Sequence, residues 1–147
     1  MDMKLEVIAL PVSDVDRAKA FYRSIGFRQD LDFASGEGFR VVQFTPPGSE
    51  ASIVFGDGIT DRLAGSVQGL QLVVPDIEAA RERLTERGVD VTEVFHDIGG
   101  VFYHQSPAYE IPGADPNGRD YASFARFNDP DGNGWILQQV KARAPGR

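Results

Sequence analysis

Apolar residues run through positions 4–12 on both strand parities. Ile8, Leu10 and Val12 share one, and Leu5, Val7 and Ala9 the other, which predicts a strand buried on both faces. Ser13, with Asp16 three residues on, has the form of a capping box. Val15, Ala18, Phe21, Tyr22 and Ile25 then recur at helical spacing until Gly26 supplies a left-handed stop. Short strands are predicted near 28–33, over 39–45 and over 52–55, the last two joined by Pro46-Pro47-Gly48. A second series begins with a strand over 70–74. Asp76 caps a helix carrying Ile77, Ala80 and Leu84, and Gly88 ends it. Strands are expected near 90–96, 99–104, 121–127 and 134–140.

The two series are one pattern written twice. Val12, Asp14, Ala18 and Gly26 reappear as Val74, Asp76, Ala80 and Gly88 at an offset of 62. A half-length unit of this kind rarely buries its apolar face alone. Further on, Ser52–Phe55 matches Ile136–Gln139 at an offset of 84, so the second half carries 84 − 62 = 22 additional residues between Asp97 and Tyr121. This insert (about 97–121) holds Pro107, Pro112, Pro116, Gly113 and Gly118 and is expected to be a loop. The expected organisation is one domain over 1–147: a module at about 4–58, a second at about 66–141, and a frayed tail at 142–147.

Composition narrows the function classes. A formal net charge of −7 argues against a nucleic-acid partner. The absence of cysteine excludes disulfides and thiolate chemistry. No apolar run approaches a membrane span, and no basic leader precedes the first strand, so a cytoplasmic protein without a membrane partner is expected.

Leu10-Pro11-Val12-Ser13-Asp14-Val15-Asp16-Arg17-Ala18, then Phe21-Tyr22 and Gly26-Phe27, resemble the opening motif of the vicinal oxygen chelate superfamily, which joins glyoxalases, bleomycin-resistance proteins and extradiol dioxygenases. Phe127-Asn128-Asp129-Pro130-Asp131-Gly132-Asn133-Gly134-Trp135 resembles its closing hairpin. The resemblance implies an α+β fold of two tandem βαβββ modules, their curved mixed sheets forming a cup with the helices outside. It also implies a homodimer. On that frame Gln71 and Val73 face the cup while Leu70, Leu72 and Val74 pack under the helix; Ile136 and Gln138 face in while Trp135 and Leu137 face out.

Enzymes of this superfamily hold a divalent metal with His, Glu or Gln side chains on the cup face. Carried over one by one, these positions fall on Val7, Gly69, Ile136 and, near the first module's end, Ser52. None is a good metal ligand, and a one-residue slip that recruits Glu6 would turn Ile8 and Leu10 into the cup. No metal or other cofactor is therefore expected.

His96 and His104 are candidate acid–base groups, with Tyr103 beside the second; the plain alternative is one surface histidine and one hydrogen-bonded strand histidine. Gln71, Gln138, Gln43, Val7 and Ile136 are candidate ligand contacts on the cup face. Tyr109, Arg119 and Tyr121 are candidates on the insert, where Arg119 and Asp120 read equally as an exposed ion pair. Phe102 reads as core. The calcium-loop-like Asp129-Pro-Asp131-Gly-Asn133 has Val140 where a glutamate is required and reads as a tight turn. Three functions stay open: a metal-free small-molecule binder that sequesters an antibiotic or toxic metabolite; a lyase, isomerase or dioxygenase using a displaced metal or a His/Tyr pair; and a structural module without a ligand.

Overall fold

A computed structural model of the chain describes residues 1–100 and 103–147. Phe102, expected in the core, lies outside the described residues. The fold is α+β, with two mixed sheets. Met1–Gln68 with Asp129–Asn133 make one compact unit, and Gly69–Asn128 with Gly134–Arg147 the other.

The first unit contains β1 (Val7–Ala9), α1 (Val15–Ser24), β2 (Arg28–Ala34), β3 (Arg40–Thr45) and β4 (Ser52–Asp57). Its sheet order is β1-β4-β3-β2, with β1 parallel to β4 and the other pairs antiparallel. The helix starts one residue later than the capping-box reading. Asp14, not Ser13, is the N-cap and accepts from Arg17 N–H, while the Ser13 hydroxyl donates to Asp131. Ile25 closes the helix and Gly26, at φ +95°, makes the left-handed exit. Tyr22, Phe44 and Phe55 are fully buried and lie ring to ring, with Val42, Ile53 and Leu10 around them. Burial of each such side chain contributes about 1.5–3 kcal/mol.

Strand β1 is buried on one face only, which corrects the two-faced reading of 4–12. Leu10 is buried, but Leu5 and Val7 are exposed. The reason is coverage: the core lies on the parity of Leu10, Ile53 and Phe55, and Val7, opposite Ser52, is on the helix-free face.

The Asp129–Asn133 segment is a turn consumed by the first unit. Asp129 accepts from Tyr22 O–H, from the Asn133 side-chain amide and from the backbone N–H groups of Asp131 and Asn133. Asn133 also donates to Pro11 O and accepts from Val67 N–H. Asp131 accepts from Ser13 and Arg17. Gly65 is obligatory beside it, because a Cβ there would stand 2.0 Å from Asp131 O.

The second unit contains β5 (Leu70–Val74), α2 (Ile77–Glu86), β6 (Phe95–Asp97), β7 (Glu110–Pro112), β8 (Ser123–Asn128) and β9 (Gly134–Gln139). The order is β5-β9-β8-β6-β7, again with the first strand parallel to the last. Asp76 caps α2 as expected, accepting from Ala79 N–H. Gln139 accepts from Ile77 N–H, which sets the helix on the face of Trp135 and Leu137.

Three expectations are corrected here. The strand near 90–96 is only Phe95–Asp97, because Thr92 exchanges backbone and hydroxyl bonds with Arg126 outside a regular ladder. Of 99–104, the described residues form no strand; Asp97 turns the chain through Gly99 and Gly100. The insert is not all loop: a 3-10 turn (Pro107–Tyr109) leads into β7, which takes the free edge of β6.

The pairings also correct the offset. Ile8 opposes Ile53 and Leu70 opposes Trp135, so the last strands correspond at 135 − 53 = 82 rather than 84, and the insertion is 82 − 62 = 20 residues. The counterpart of Ile136 is then Val54, not Ser52.

Candidate functional site

The helix-free face of the second sheet gathers the most chemistry. By register, Gln71 and Val73 of β5, Ile136 and Gln138 of β9, Phe124 and Arg126 of β8, Phe95 and Asp97 of β6, and Glu110 of β7 point to the same side. Phe95, Phe124 and Ile136 form a buried cluster, and Tyr103 packs against it with its ring centroid 6.0 Å from Phe95 and 5.2 Å from Phe124.

Arg126 crosses this floor. Its guanidinium carbon lies 5.0 Å from the Phe95 ring centroid, a cation–π distance. It donates to both Glu110 oxygens and, at 3.2 Å, to the Tyr103 hydroxyl. Burial works against the Arg126 charge, but the bonds to Tyr103 and Glu110 outweigh it and hold the pKa above its ordinary value. At the far edge Gln71 donates to Gln138, and Gln138 donates to Tyr121 O. Tyr121 has φ +68°, the only positive φ among described non-glycine residues.

On the β6 side, Asp97 is buried and accepts from Gly99 N–H, His104 N–H and His104 Nδ1. Burial pushes its pKa up, and these bonds outweigh that and bring it below the usual carboxylate value. The His104 ring stacks on Tyr109 at 4.3 Å.

The structure therefore puts Gln71, Gln138 and Ile136 on one face, packs Tyr103 on that face's aromatic cluster, and stacks His104 with Tyr109 beside Asp97 near the opposite edge of the sheet. It separates His96 from them: His96 pairs with Ser123 and Ile111 on the opposite parity, and its Nδ1 meets Gly113 O. Arg119 is engaged with Asp115, donating from its backbone and guanidinium. Asp120 and the Tyr121 hydroxyl accept from the tail backbone at Lys141, Ala142 and Ala144. Gln43 and Val7 belong to the first unit's helix-free face. There Asp30, Thr45 and Ser52 form a small polar group with Thr45 Oγ1 2.7 Å from Ser52 Oγ. The Thr45 bond, against burial, keeps the Asp30 carboxyl below its ordinary value.

Sequence reasoning missed Asp97, Glu110, Arg126, Phe95 and Phe124. Arg126 carried a signal, a single charge inside Ser-Phe-Ala-Arg-Phe. Glu110 carried none.

The metal positions do not fit an octahedral site. Val7, Gly69 and Ile136 offer no donor, Val54 offers none at the corrected position, and the Ser52 hydroxyl is shared with Thr45. Among the described residues no group of three or more His, Asp or Glu side chains converges as a metal site requires. No helix among them is long and apolar enough to cross a membrane.

This is a duplicated βαβββ protein with a polar and aromatic surface on one face of its second sheet. The sequence matches the Glyoxalase/Bleomycin resistance protein/Dioxygenase superfamily over residues 4–137, and the chain belongs to that superfamily. Among solved structures it is similar to TnmS3, an antibiotic binding protein from Streptomyces sp. CB03234. The identity is 32%, the TM-score 0.67, and the match covers 94% of this chain and 96% of that one. It is similar to a glyoxalase/bleomycin resistance protein from the same strain at 32% identity and TM-score 0.65, covering 92% of this chain and 100% of the other. It is also similar to a superfamily member from Sphaerobacter thermophilus DSM 20745 at 27% identity and TM-score 0.69, covering 95% and 98%. No curated protein matches the sequence.

Proposed function

We propose that this chain binds a flat, largely aromatic small molecule, an antibiotic or toxic metabolite, and sequesters it without a metal at the superfamily's usual positions. The observation that carries this reading is the second sheet's helix-free face. Tyr103 and Arg126, both part-exposed, cap a buried Phe95–Phe124–Ile136 cluster, with the Gln71–Gln138 pair beside them. Folding alone gives little reason to place a guanidinium over an apolar cluster, because a charge there must be paired to be tolerated. A ring stacking on Tyr103 and Arg126 would use that surface, and the glutamines would read its polar edge. The likeness to TnmS3, described as an antibiotic binding protein, supports the same class of ligand.

The test is a thermal-shift panel of planar aromatic antibiotics and metabolites, followed by calorimetry on the hits. A ligand at a hundred times its Kd adds about 2.7 kcal/mol of apparent stability. A panel in which no compound raises the midpoint would overturn the reading. Homodimerisation in the cytoplasm is part of the same proposal. Exposed Leu5, Val7, Leu31 and Phe33 on the first unit support an association surface, and sedimentation showing only monomer would remove that element.

A further inference from the structure

We propose that Asp97 and His104 form an acid–base dyad at the margin of the aromatic face, with His104 Nε2 as the proton acceptor and Asp97 as its positioning residue. The placement of the substrate rests on the ligand-face reading above; the dyad itself rests on separate geometry. The Asp97 side chain is 1% exposed and the His104 side chain 48%. The carboxylate accepts from Gly99 N–H at 2.8 Å, His104 N–H at 2.9 Å and His104 Nδ1 at 2.8 Å. An ionised carboxylate only accepts, so Nδ1 carries the hydrogen, and the lone pair of the ring's neutral form is on Nε2. Nε2 has no hydrogen-bond partner among the described residues.

The ring is fixed in two directions. Asp97 holds its inner edge, and Tyr109 stacks on its face at 4.3 Å with 18° between the planes. The packing leaves no room at Gly99, where a Cβ would stand 2.9 Å from Asp97 Oδ2 and 3.0 Å from His104 Cε1. A loop clip would need only the carboxylate and the two backbone donors. The additional imidazole bond, with the ring half exposed, is the arrangement of a base and its orienter. Asp97 shares the face of Phe95 and lies opposite Glu110. His104 directly follows Tyr103, whose ring lies on the aromatic cluster. The substrate class is thus a flat aromatic compound bearing an acidic C–H or O–H. Nε2 takes that proton, Asp97 stays ionised beside the imidazolium, and the proton then passes to water or back to the product.

Nitrobenzisoxazole is a suitable probe because it needs no co-reactant. Nε2 removes the ring C–H proton, the C–H electron pair forms the nitrile, and the N–O bond breaks to release a coloured phenolate. The wild-type protein is expected to accelerate this over buffer, and His104→Ala to lower kcat by about a hundredfold. Asp97→Asn is expected to lower it by about tenfold or more, because an amide donor facing Nδ1 favours the hydrogen on Nε2. Equal rates for wild type and His104→Ala would overturn the dyad. Nitrogen NMR of the wild-type protein decides independently of whether the variants fold: Nδ1–H with a bare Nε2 supports it, and Nε2–H overturns it. The ligand-face reading fails differently. A rate that never saturates with probe yet still depends on His104 would sink that reading and leave the dyad standing.

Discussion

The two units share a βαβββ plan and both bury aromatic side chains under the helix, but only the second builds an aromatic cluster on its helix-free face as well. In the first, Tyr22, Phe44 and Phe55 are fully buried in the core packed with α1, and Tyr22 is tied by its hydroxyl to Asp129. Its helix-free face holds the modest Asp30–Thr45–Ser52 group and exposed Leu31 and Phe33. In the second, Trp135, Phe127 and Leu137 fill the helix side. Phe95, Phe124 and Tyr103 sit on the helix-free side with Arg126, Glu110, Asp97 and His104. Buried charge weakens a fold unless every group is paired, and here each charged group has its partner. The first unit keeps Tyr22, Phe44 and Phe55 for its core; the second adds a buried aromatic cluster whose part-exposed cap, Tyr103, stands where a ligand could meet it.

Phe55→Ala should break the first half of that comparison outright. Phe55 is fully buried, stacked on Phe44 at 6.0 Å and tilted against Tyr22 at 5.7 Å. Its truncation is expected to cost about 3–5 kcal/mol, read by thermal and urea unfolding. Tyr103→Ala, on a part-buried ring of the second unit, is expected to cost stability much less while weakening ligand binding about tenfold or more, roughly 1.4 kcal/mol. Calorimetry with a hit from the panel checks it. If Tyr103→Ala unfolds the protein as readily as Phe55→Ala, the two faces are not functionally distinct.

Gly99→Ala sharpens the comparison on a finer scale. Its Cβ would intrude on both Asp97 Oδ2 and His104 Cε1, so the carboxylate and ring must move apart. The expected stability loss is about 1 kcal/mol, near the centre of the range for point changes. The His104 Nδ1–H resonance is expected to lose its protection from exchange. Retention of that resonance would show that the pair tolerates displacement.

How much of this was readable along the chain follows from the range of each interaction. Asp76 as a cap, Gly26 and Gly88 as stops, and Gln71 and Gln138 on the helix-free face all follow from local spacing. The Glu110–Arg126 pair spans 16 residues and depends on a three-residue strand, Glu-Ile-Pro, too short to show a period and ending in proline. The Asp97–His104 pair depends on Asp97 accepting from the backbone N–H groups of Gly99 and His104, contacts that no residue spacing announces. The N-cap shifted from Ser13 to Asp14 because Ser13 meets Asp131, 118 residues away. Strand parity was legible except in β1, where which face would be covered is a tertiary matter.

The smallest expected effect concerns Arg119, a candidate ligand contact that the structure occupies with Asp115. Hydrogen bonding to Arg119 brings the buried Asp115 carboxyl down to about 2. A carboxylate whose folded pKa lies below its unfolded value adds stability above the unfolded pKa, and loses it as pH falls. The window therefore runs from about pH 4, where the unfolded chain titrates, down to the folded value of about 2. Arg119 is 45% exposed, so solvent screening limits the contribution to at most about 1 kcal/mol. Arg119→Ala is expected to lower stability by that amount at neutral pH and to converge on the wild type at the acid end of the window. Asp115 N–H keeps its bond to Ser123 Oγ, so the loop start should hold. Ligand affinity is expected to stay unchanged, since the guanidinium is already committed to Asp115; a tenfold loss by calorimetry would instead return Arg119 to the binding surface.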